Sequence, residues 1–351
     1  MTDAIYEESR IYPTDKRGQR ELCALLEKEG IRRDGSLEYT LGLYDQEGQL
    51  AATGSYYKNT LRCLAVDSAH QGEGLLNRVV SRLMELKADQ GDLHLFLYTK
   101  CDKAPFFADL GFGEIARVEG LTVFMENRRG GFARYLSGLK GDCREAAGDH
   151  AAIVMNANPF TLGHQWLVEQ AAAQCGLLHL FVVTEDASLV PFSVRERLVR
   201  EGVAHLPNVL VHQTGSYMIS SSTFPSYFIK DEGDVIQAQA RLDLQVFKAI
   251  AATLGISARF VGEEPFSQVT AVYNQIMAEE LPKAGLRCVI LPRREEKGQA
   301  ISASRVRQLI HDGRLEEIRP LVPESTWQFF QTPEGAQVTE AIQRAGEVVH
   351  Y

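Results

Sequence analysis

Several features that mark large classes of proteins are missing from this sequence of 351 residues. No apolar run approaches the ~18 residues that a membrane-spanning helix needs. No dense run of lysine and arginine is present, and the formal net charge is −9, whereas proteins that bind duplex nucleic acid carry clustered positive charge. We therefore expect that the chain acts on neither a membrane nor a nucleic acid.

Cysteine is scarce and scattered. The six cysteines form no C-x-x-C pair; they are residues 23, 63, 101, 143, 175 and 288. This spacing predicts neither a disulfide framework nor a zinc site and is typical of thiols in a reducing compartment. The N-terminal MTDAIYEESR also lacks the basic-then-apolar layout of a signal peptide. We therefore expect a cytoplasmic protein and predict no metal held by protein side chains.

The chain is too long for one typical domain. Residues 131–149 are rich in glycine and charge, and they precede the apolar run AAIVM. We therefore predict a first domain over residues 1–130, a linker over 131–149 and a second domain over 150–351.

The two predicted domains differ in pattern. Strand-like runs between residues 38 and 66 are separated by short turns, which predicts an antiparallel meander, and a helix follows over 75–90. From residue 151 onward, strands alternate with helices, which predicts βαβ units and a parallel sheet. The predicted fold is therefore an α+β domain followed by a Rossmann-like α/β domain. Ligands of such sheets bind beyond the carboxyl ends of the strands.

The stretch NANPFTLGH follows the first strand of the second domain, and the chain contains no G-x-x-x-x-G-K-[ST] loop. A phosphate would be held here by free N–H groups at the start of the next helix. We expect Asn158 and Thr161 to position the ligand, Gly163 to allow close backbone approach, and His164, as an imidazolium, to stabilise charge that develops at phosphorus. Taken alone, the stretch is also compatible with an ordinary turn and a surface histidine.

The stretch ISASRVR, residues 301–307, follows the last strand. We expect Ser302 and Ser304 to cap the next helix and Arg307 to bind phosphate through two N–H groups. A plain capped helix with an exposed arginine is the alternative. Because both stretches follow carboxyl ends of strands, we expect them to meet at one edge of the sheet.

These two motifs together resemble the T/H-x-G-H and I-S-x-[ST]-x-x-[RK] pair of the nucleotidyltransferase superfamily. Longer stretches resemble the citrate lyase ligase family over nearly the whole chain; they are NPFTLGHQWLVEQAA, LFVVTEDASLVPFSVRERLVREG, GSYMISSSTFPSYFIKD and ARFVGEEPFSQVTAVYNQIM. Asn158 stands where many relatives of the superfamily have Asp, and Met155 where many have Gly.

The resemblance implies an acid–thiol ligase. Such an enzyme uses ATP, with Mg²⁺ implied by ATP chemistry, to convert acetate to acetyl-adenylate. It then acetylates the thiol of the CoA-like prosthetic group on the acyl-carrier subunit of citrate lyase. By this resemblance His164, Thr161 and Arg307 are catalytic. The implied nucleotide-binding residues are Asn158, Gly163, Ser302 and Ser304.

The first domain carries a second resemblance. VDSAHQGEGLLNRVVSRLM is similar to the Q/R-x-x-G-x-G/A loop of the GNAT superfamily, where backbone N–H groups before a helix bind the CoA pyrophosphate. Gln71, Gly72 and Gly74 would bind the CoA-like arm. Phe107 stands where a tyrosine often acts as general acid, so the resemblance implies binding of the arm rather than acetyltransferase chemistry.

Two other functions remain open at this point. An adenylyltransferase acting on a phosphopantetheine-like acceptor would use the same two motifs, and a non-catalytic nucleotide or CoA sensor would use them for binding alone. Outside the motifs, we expect the loop GSYMISSSTFPSYFIKD near the acetate or the thiol arm and FVGEEP near the adenine. We expect Arg293 and Arg294 either near pyrophosphate or in a basic surface turn.

Overall fold

The computed structural model describes residues 6–143, 147–184, 188–219, 224, 232–263, 268–346 and 348. These residues form two compact units. The first contains the described residues up to 134 together with 224 and 232–245, and the second contains the described residues of 135–219 and 246–348. The domain boundaries predicted from the sequence, 1–130 and 150–351, stay a prediction.

The described part of the first unit is built on a seven-stranded sheet with the order β1-β2-β3-β4-β5-β7-β6. Its strands are β1 (Glu7–Arg10), β2 (Tyr39–Tyr44), β3 (Leu50–Tyr57), β4 (Thr60–Val66), β5 (Phe96–Thr99), β6 (Gly113–Val118) and β7 (Thr122–Glu126), and its helices include α1 (Lys16–Lys28), α2 (Leu75–Asp89) and α3 (Ala104–Asp109). β2, β3 and β4 form the predicted antiparallel meander. The sequence reasoning missed β1, β6 and β7.

β4 departs from regular pairing in the middle of this sheet. Cys63 has a φ of 50°, and two residues of β4 stand opposite Gly54 of β3 where the register shifts, which is the arrangement of a β-bulge. The parallel pairing of β4 with β5 is confined to Thr60 with Phe96 and Leu61 with Leu97. The two strands therefore stop pairing just before the bulge.

The second unit contains a parallel sheet with the order β10-β9-β8-β11-β12. Its strands are β8 (His150–Met155), β9 (Leu177–Val182), β10 (Val209–Gln213), β11 (Ile256–Gly262) and β12 (Arg287–Leu291). The chain adds strands on one side of β8 and then on the other, as in doubly wound α/β folds. The predicted parallel sheet is confirmed, and the point where the strand order reverses lies between β8 and β11.

Helices connect and follow these strands. They are α4 (Gly131–Asp142), α5 (Leu162–Ala172), α6 (Phe192–Val203), α7 (Glu232–Leu254), α8 (Gln268–Lys283), α9 (Ala303–His311), α10 (Glu324–Phe330) and α11 (Pro333–Arg344), with α4 and α7 divided between the two units. A short hairpin of β13 (Glu295–Glu296) and β14 (Gln299–Ala300) precedes α9. Lys297 and Gly298 both have positive φ values, 53° and 74°, as a two-residue type I′ turn requires. The sequence reasoning missed this hairpin, α10 and α11.

Candidate active site

Asn158 ties the loop after β8 to the loop after β9. Its side chain is buried, with 2% of its surface exposed, and its Oδ1 accepts a hydrogen bond of 3.1 Å from the backbone N–H of Val190. Its Nδ2 is buried without a hydrogen-bond partner among the described residues. Buried donors are nearly always paired, so both N–H groups of this amide are left for a ligand or a water molecule.

Thr161 and His164 form a reciprocal cap at the start of α5. The Thr161 Oγ1 accepts from the backbone N–H of His164 at 3.3 Å, and the His164 Nδ1 accepts from the backbone N–H of Thr161 at 3.1 Å. The Thr161 hydroxyl also lies 3.0 Å from this Nδ1. Thr161 is almost completely buried, so in this structure its contacts orient His164. The phosphate contact expected of Thr161 stays a prediction.

His164 is neutral at physiological pH. Burial, together with the positive charges of Arg293 and Arg307, lowers its pKa from 6.5 to about 4. Because Nδ1 accepts a hydrogen bond, the proton of the neutral ring lies on Nε2, and among the described residues that N–H has no hydrogen-bond acceptor. The imidazolium expected from the sequence is therefore wrong, whereas the expected donor is present as a neutral N–H. A neutral histidine donates effectively to developing negative charge.

Gly163 brings the two motifs together. A Cβ atom built on Gly163 would lie 2.8 Å from the carbonyl oxygen of Ile301, and Ile301 directly precedes Ser302. The close approach expected at this glycine is therefore made to the backbone of the second motif. Direct contact of Gly163 with a nucleotide stays a prediction.

We expect Gly163→Ala to reduce ATP-dependent activity about tenfold or more. Carbon and carbonyl oxygen cannot approach to 2.8 Å, so the Ile301 backbone has to move, and overpacking of this kind costs ~1–3 kcal/mol. The measurement is the steady-state rate together with the urea midpoint. Gly138→Ala in α4 is the matched control, since nothing lies within 4 Å of its added Cβ. Equal rates for the two variants would contradict this account of Gly163.

Ser302 caps α9, as predicted from the sequence. Its Oγ accepts from the backbone N–H of Arg305 at 3.2 Å, and the Oγ of Ser304 lies 3.0 Å from it. Ser304 therefore supports the cap without forming it. Both serines line the same cavity, and contact of their hydroxyls with a nucleotide stays a prediction.

Arg307 joins the second motif to the first. Its Nη1 donates to the carbonyl oxygen of Asn158 at 2.5 Å, and its Nε donates to the carbonyl oxygen of Val348 at 2.6 Å. Only 2% of its surface is exposed, and burial lowers its pKa to about 10, so it keeps its positive charge. The predicted meeting of the two motifs is confirmed by this contact, while a bidentate contact of Arg307 with phosphate stays a prediction.

Arg195 of α6 is a central residue that the sequence reasoning missed. It is fully buried and donates to three backbone carbonyls, those of Val190 at 3.0 Å, Asn156 at 2.8 Å and Val183 at 2.8 Å. These carbonyls belong to the loops that follow β8 and β9, so one side chain holds both loops at the carboxyl edge of the sheet. The sequence could have indicated this role, because helical spacing places Arg195 on the same face of α6 as Leu198, Val199 and Gly202, which are buried.

A cavity of about 720 Å³ opens beside the second motif. Its volume is in the range of small-molecule sites. Residues from several segments line it, among them Glu263 after β11, Arg293 after β12, Glu295 of the hairpin, and Ser302, Ser304 and Arg305 of the second motif. The Nη1 of Arg305 is buried and has no hydrogen-bond partner among the described residues. The cavity therefore offers hydroxyl and guanidinium donors together with carboxylates.

Arg293 lies in this cavity and Arg294 does not line it. The Nε of Arg293 donates to the carbonyl oxygen of Glu263 at 2.6 Å, and its charge is one of the causes that lower the pKa of His164. Among other expected segments, Tyr217 is buried. Several residues expected near the ligands lie outside the described residues; they are Ser220–Thr223, Tyr227, Lys230, Glu264 and Pro265.

The glycine loop of the first unit has the backbone conformation that its sequence suggests. Gly72 and Gly74 have φ values of 89° and 73°, and Gly74 directly precedes α2. The loop is exposed at Gln71, Gly72 and Gly74. Glu73 lies between the two glycines, and its carboxylate accepts a hydrogen bond from the hydroxyl of Tyr6. Binding of a CoA-like arm at this loop stays a prediction.

Within the part of the chain that the structure describes, no helix is both long and apolar enough to cross a membrane. The cytoplasmic location stays a prediction.

Comparisons with known proteins agree over most of the chain. A family model described as the citrate lyase ligase C-terminal domain matches residues 150–330. The "[Citrate [pro-3S]-lyase] ligase" of Escherichia coli (strain K12) is 38% identical over 329 residues, which cover 92% of this chain and 93% of that protein. The protein of the same name from Klebsiella pneumoniae is 39% identical over 321 residues, which cover 90% of this chain and 93% of that protein.

A solved structure is similar to part of the chain. An acetyltransferase of the GNAT family from Staphylococcus aureus Mu50 is 11% identical and covers 35% of this chain and 100% of that chain, with a TM-score of 0.29. We draw no conclusion about the fold from a TM-score of this size.

Proposed function

The chain belongs to the citrate lyase ligase family, and on that premise we propose that it activates citrate lyase by acetylating it at the expense of ATP. In this proposal acetate is the carboxylate, and the acceptor is the thiol of the CoA-like prosthetic group on the acyl-carrier subunit. The observation that carries the proposal is the contact between the two motifs. Gly163 packs on Ile301, and Arg307 donates to Asn158. Ser302, Ser304 and Arg305 of the second motif line the cavity, and the first motif reaches it through these contacts rather than as part of its lining.

The first chemical step is adenylation. A carboxylate oxygen of acetate forms a bond to the α-phosphorus of ATP, and the bond from that phosphorus to the bridging oxygen of pyrophosphate breaks. Negative charge develops on the phosphoryl oxygens and on the leaving group. In this proposal the Nε2–H of His164 donates to this charge, and the N–H of Thr161 fixes the ring through Nδ1. A preoriented donor needs no reorganisation when the charge appears.

Two guanidinium groups are placed to hold the pyrophosphate. Arg305 and Arg293 line the cavity, and the Nη1 of Arg305 is the buried donor without a partner described above. Arginine binds phosphate oxygens through its planar set of N–H groups. In this proposal Ser302 and Ser304 add hydroxyl donors at the start of α9.

The carboxylates of the cavity fit a magnesium–nucleotide complex. Mg²⁺ binds to substrate phosphates and one or two carboxylates, and Glu263 and Glu295 are carboxylates that line the cavity. These two side chains would hold the ion, which when bound neutralises charge on the phosphates.

The second step is thiol transfer. The sulfur of the prosthetic arm forms a bond to the carbonyl carbon of acetyl-adenylate, the bond from that carbon to the AMP oxygen breaks, and the thiol proton passes to solvent. We place the pyrophosphate-like part of the arm at Gln71, Gly72 and Gly74, where backbone N–H groups precede α2. The early end of pairing between β4 and β5 supports this placement, because it leaves strand edges beside which an extended arm can lie.

The test is an assay of pyrophosphate release with ATP and Mg²⁺. We expect release that depends on acetate, formation of acetyl hydroxamate when hydroxylamine traps the adenylate, and transfer of labelled acetate to the acyl-carrier subunit. Release with phosphopantetheine and not with acetate would replace this proposal by an adenylyltransferase. Nucleotide binding without release under either condition would indicate a sensor.

A further inference from the structure

Three histidines from neighbouring strands form a chain in the second unit. His150 begins β8, His179 lies in β9 and His212 lies in β10. The Nε2 of His179 lies 3.3 Å from the Nδ1 of His150, and the Nδ1 of His179 lies 2.9 Å from the Nε2 of His212. His179 and His212 are buried. Buried imidazoles on adjacent parallel strands have no part in the chemistry proposed above.

Cys143 completes this cluster. It follows α4 directly, and its Sγ lies, with one ring nitrogen each of His150 and His179, in a group whose atoms are all within 4.8 Å of one another. Cys143 and His150 are half-buried, so the cluster is accessible from solvent on that side. The absence of a C-x-x-C pair led to the expectation of no zinc site, and the fold instead brings one cysteine to histidines of two strands.

The hydrogen bonds leave a lone pair on His179 for a ligand. When the Nδ1–H of His179 donates to the Nε2 of His212, the Nε2 of His179 has a free lone pair directed toward His150. A ligating histidine typically donates its other N–H to a fixed partner in this way.

We propose that Cys143, His150 and His179 bind a divalent transition-metal ion of the zinc type. Zinc prefers thiolate and imidazole ligands, with Zn–N distances of ~2.0–2.1 Å and Zn–S of ~2.3 Å. Two nitrogens on one tetrahedral zinc are therefore ~3.3 Å apart, which matches the 3.3 Å between the rings of His150 and His179. The Sγ of Cys143 needs to move by roughly 1 Å to reach such an ion, and solvent takes the fourth position.

Binding has a defined proton balance. The thiol of Cys143 loses its proton to solvent as its sulfur bonds to the metal. The Nδ1 of His150 lies 3.0 Å from the carbonyl oxygen of Leu254 and therefore donates to it when no ion is bound. On binding through Nδ1, the ring carries its proton on Nε2 and this hydrogen bond is given up. The loss of this hydrogen bond makes the site weaker than a preformed one, and the release of the thiol proton makes its affinity dependent on pH.

The site lies at the edge of the sheet opposite the nucleotide site. His150 begins β8, whereas the loop that holds Thr161 and His164 follows the end of this strand, and six residues of strand span ~20 Å. A metal there is too far away to take part in adenylation. It would fasten the end of α4 to β8 and β9, which is a stabilising role.

Metal binding is tested on the full chain, reduced and freed of metal. We expect one equivalent of Co²⁺ to give the intense visible bands of a tetrahedral site and a thiolate-to-metal charge-transfer band. Zn²⁺, added in competition with a chromophoric chelator, displaces the Co²⁺ and raises the thermal midpoint. Cys143→Ser abolishes the charge-transfer band, and His212→Phe, which removes the acceptor for His179, weakens Zn²⁺ about 10- to 100-fold.

The controls use a thiol and a histidine of the same unit that lie outside the cluster. Cys175→Ser and His205→Ala should bind Co²⁺ as the unaltered chain does, since Cys175 contacts Ala171 and His205 pairs with Glu169. Circular dichroism of metal-free Cys143→Ser shows whether this variant is folded. A Co²⁺ spectrum without a charge-transfer band in the unaltered chain, or one that Cys143→Ser retains, would overturn the proposal.

Discussion

Replacing His164 by alanine should reduce acetate-dependent pyrophosphate release by at least two orders of magnitude. One preoriented donor to a developing oxyanion is worth ~3 kcal/mol, which corresponds to about a hundredfold in rate. The Nε2–H of His164 is such a donor, because the N–H of Thr161 fixes the ring through Nδ1. The loss should appear in kcat more than in KM, since the donor acts on the additional negative charge that develops in the transition state.

The pH profile separates this role from that of a charged histidine. With a pKa of about 4 in the ligand-free chain, the ring of His164 is neutral between pH 6 and 8, so its titration should leave kcat/KM flat over this range. An imidazolium with an ordinary pKa would instead lose activity as the pH rises through 6.5. His205→Ala, an exposed histidine of the same unit paired with Glu169, is the control. Near-normal release by His164→Ala would place the reacting phosphorus elsewhere.

The predicted motifs are recognisable in the sequence because their signals are local. An apolar strand, a capping residue and a helix are contiguous in NANPFTLGH, and the same holds for ISASRVR, so their secondary structure follows from short-range patterns. The alternation of strands and helices also sufficed to predict the parallel sheet. Even the meeting of the two motifs follows from a general rule, because loops after parallel strands share one edge.

Contacts between distant segments could not be predicted in this way. The neighbour of Gly163 is the backbone of Ile301, and the acceptors of Arg307 are the carbonyls of Asn158 and Val348; nothing in either motif specifies these partners. The charge of His164 was wrongly predicted for the same reason. Its pKa depends on burial and on two arginines that are remote in sequence.

The cluster of Cys143, His150 and His179, which we propose as a metal site, is a further example. Its residues are separated by other elements, and each alone is an ordinary cysteine or an ordinary histidine in or beside a strand. Strand order decides that β8 and β9 are neighbours, and register decides that His179 stands beside Ala152, two residues from His150. A one-residue change of register would turn the ring to the opposite face of the sheet.

Arg195→Met should lower the free energy of unfolding of the second unit by at least about 3 kcal/mol. Methionine fills much of the volume but donates no hydrogen bond, so the carbonyls of Asn156, Val183 and Val190 lose the donor that Arg195 supplies. A buried group left unsatisfied costs ~1–3 kcal/mol. Urea unfolding followed by tryptophan fluorescence measures the effect in this unit alone, since both tryptophans, Trp166 and Trp327, belong to it.

Arg197→Met is the matched control, on the same helix and with the same change of side chain. Arg197 is exposed and pairs with exposed Glu334, and such surface pairs contribute ~0–1 kcal/mol. A comparable destabilisation by both variants would contradict the role assigned to Arg195. If folded Arg195→Met can be assayed at low temperature, its adenylation should also fall, because the loop that places Asn158, Thr161 and His164 begins at the carbonyl that Arg195 holds. The buried cation would then be a positioning residue, acting on the reaction through the backbone of both loops.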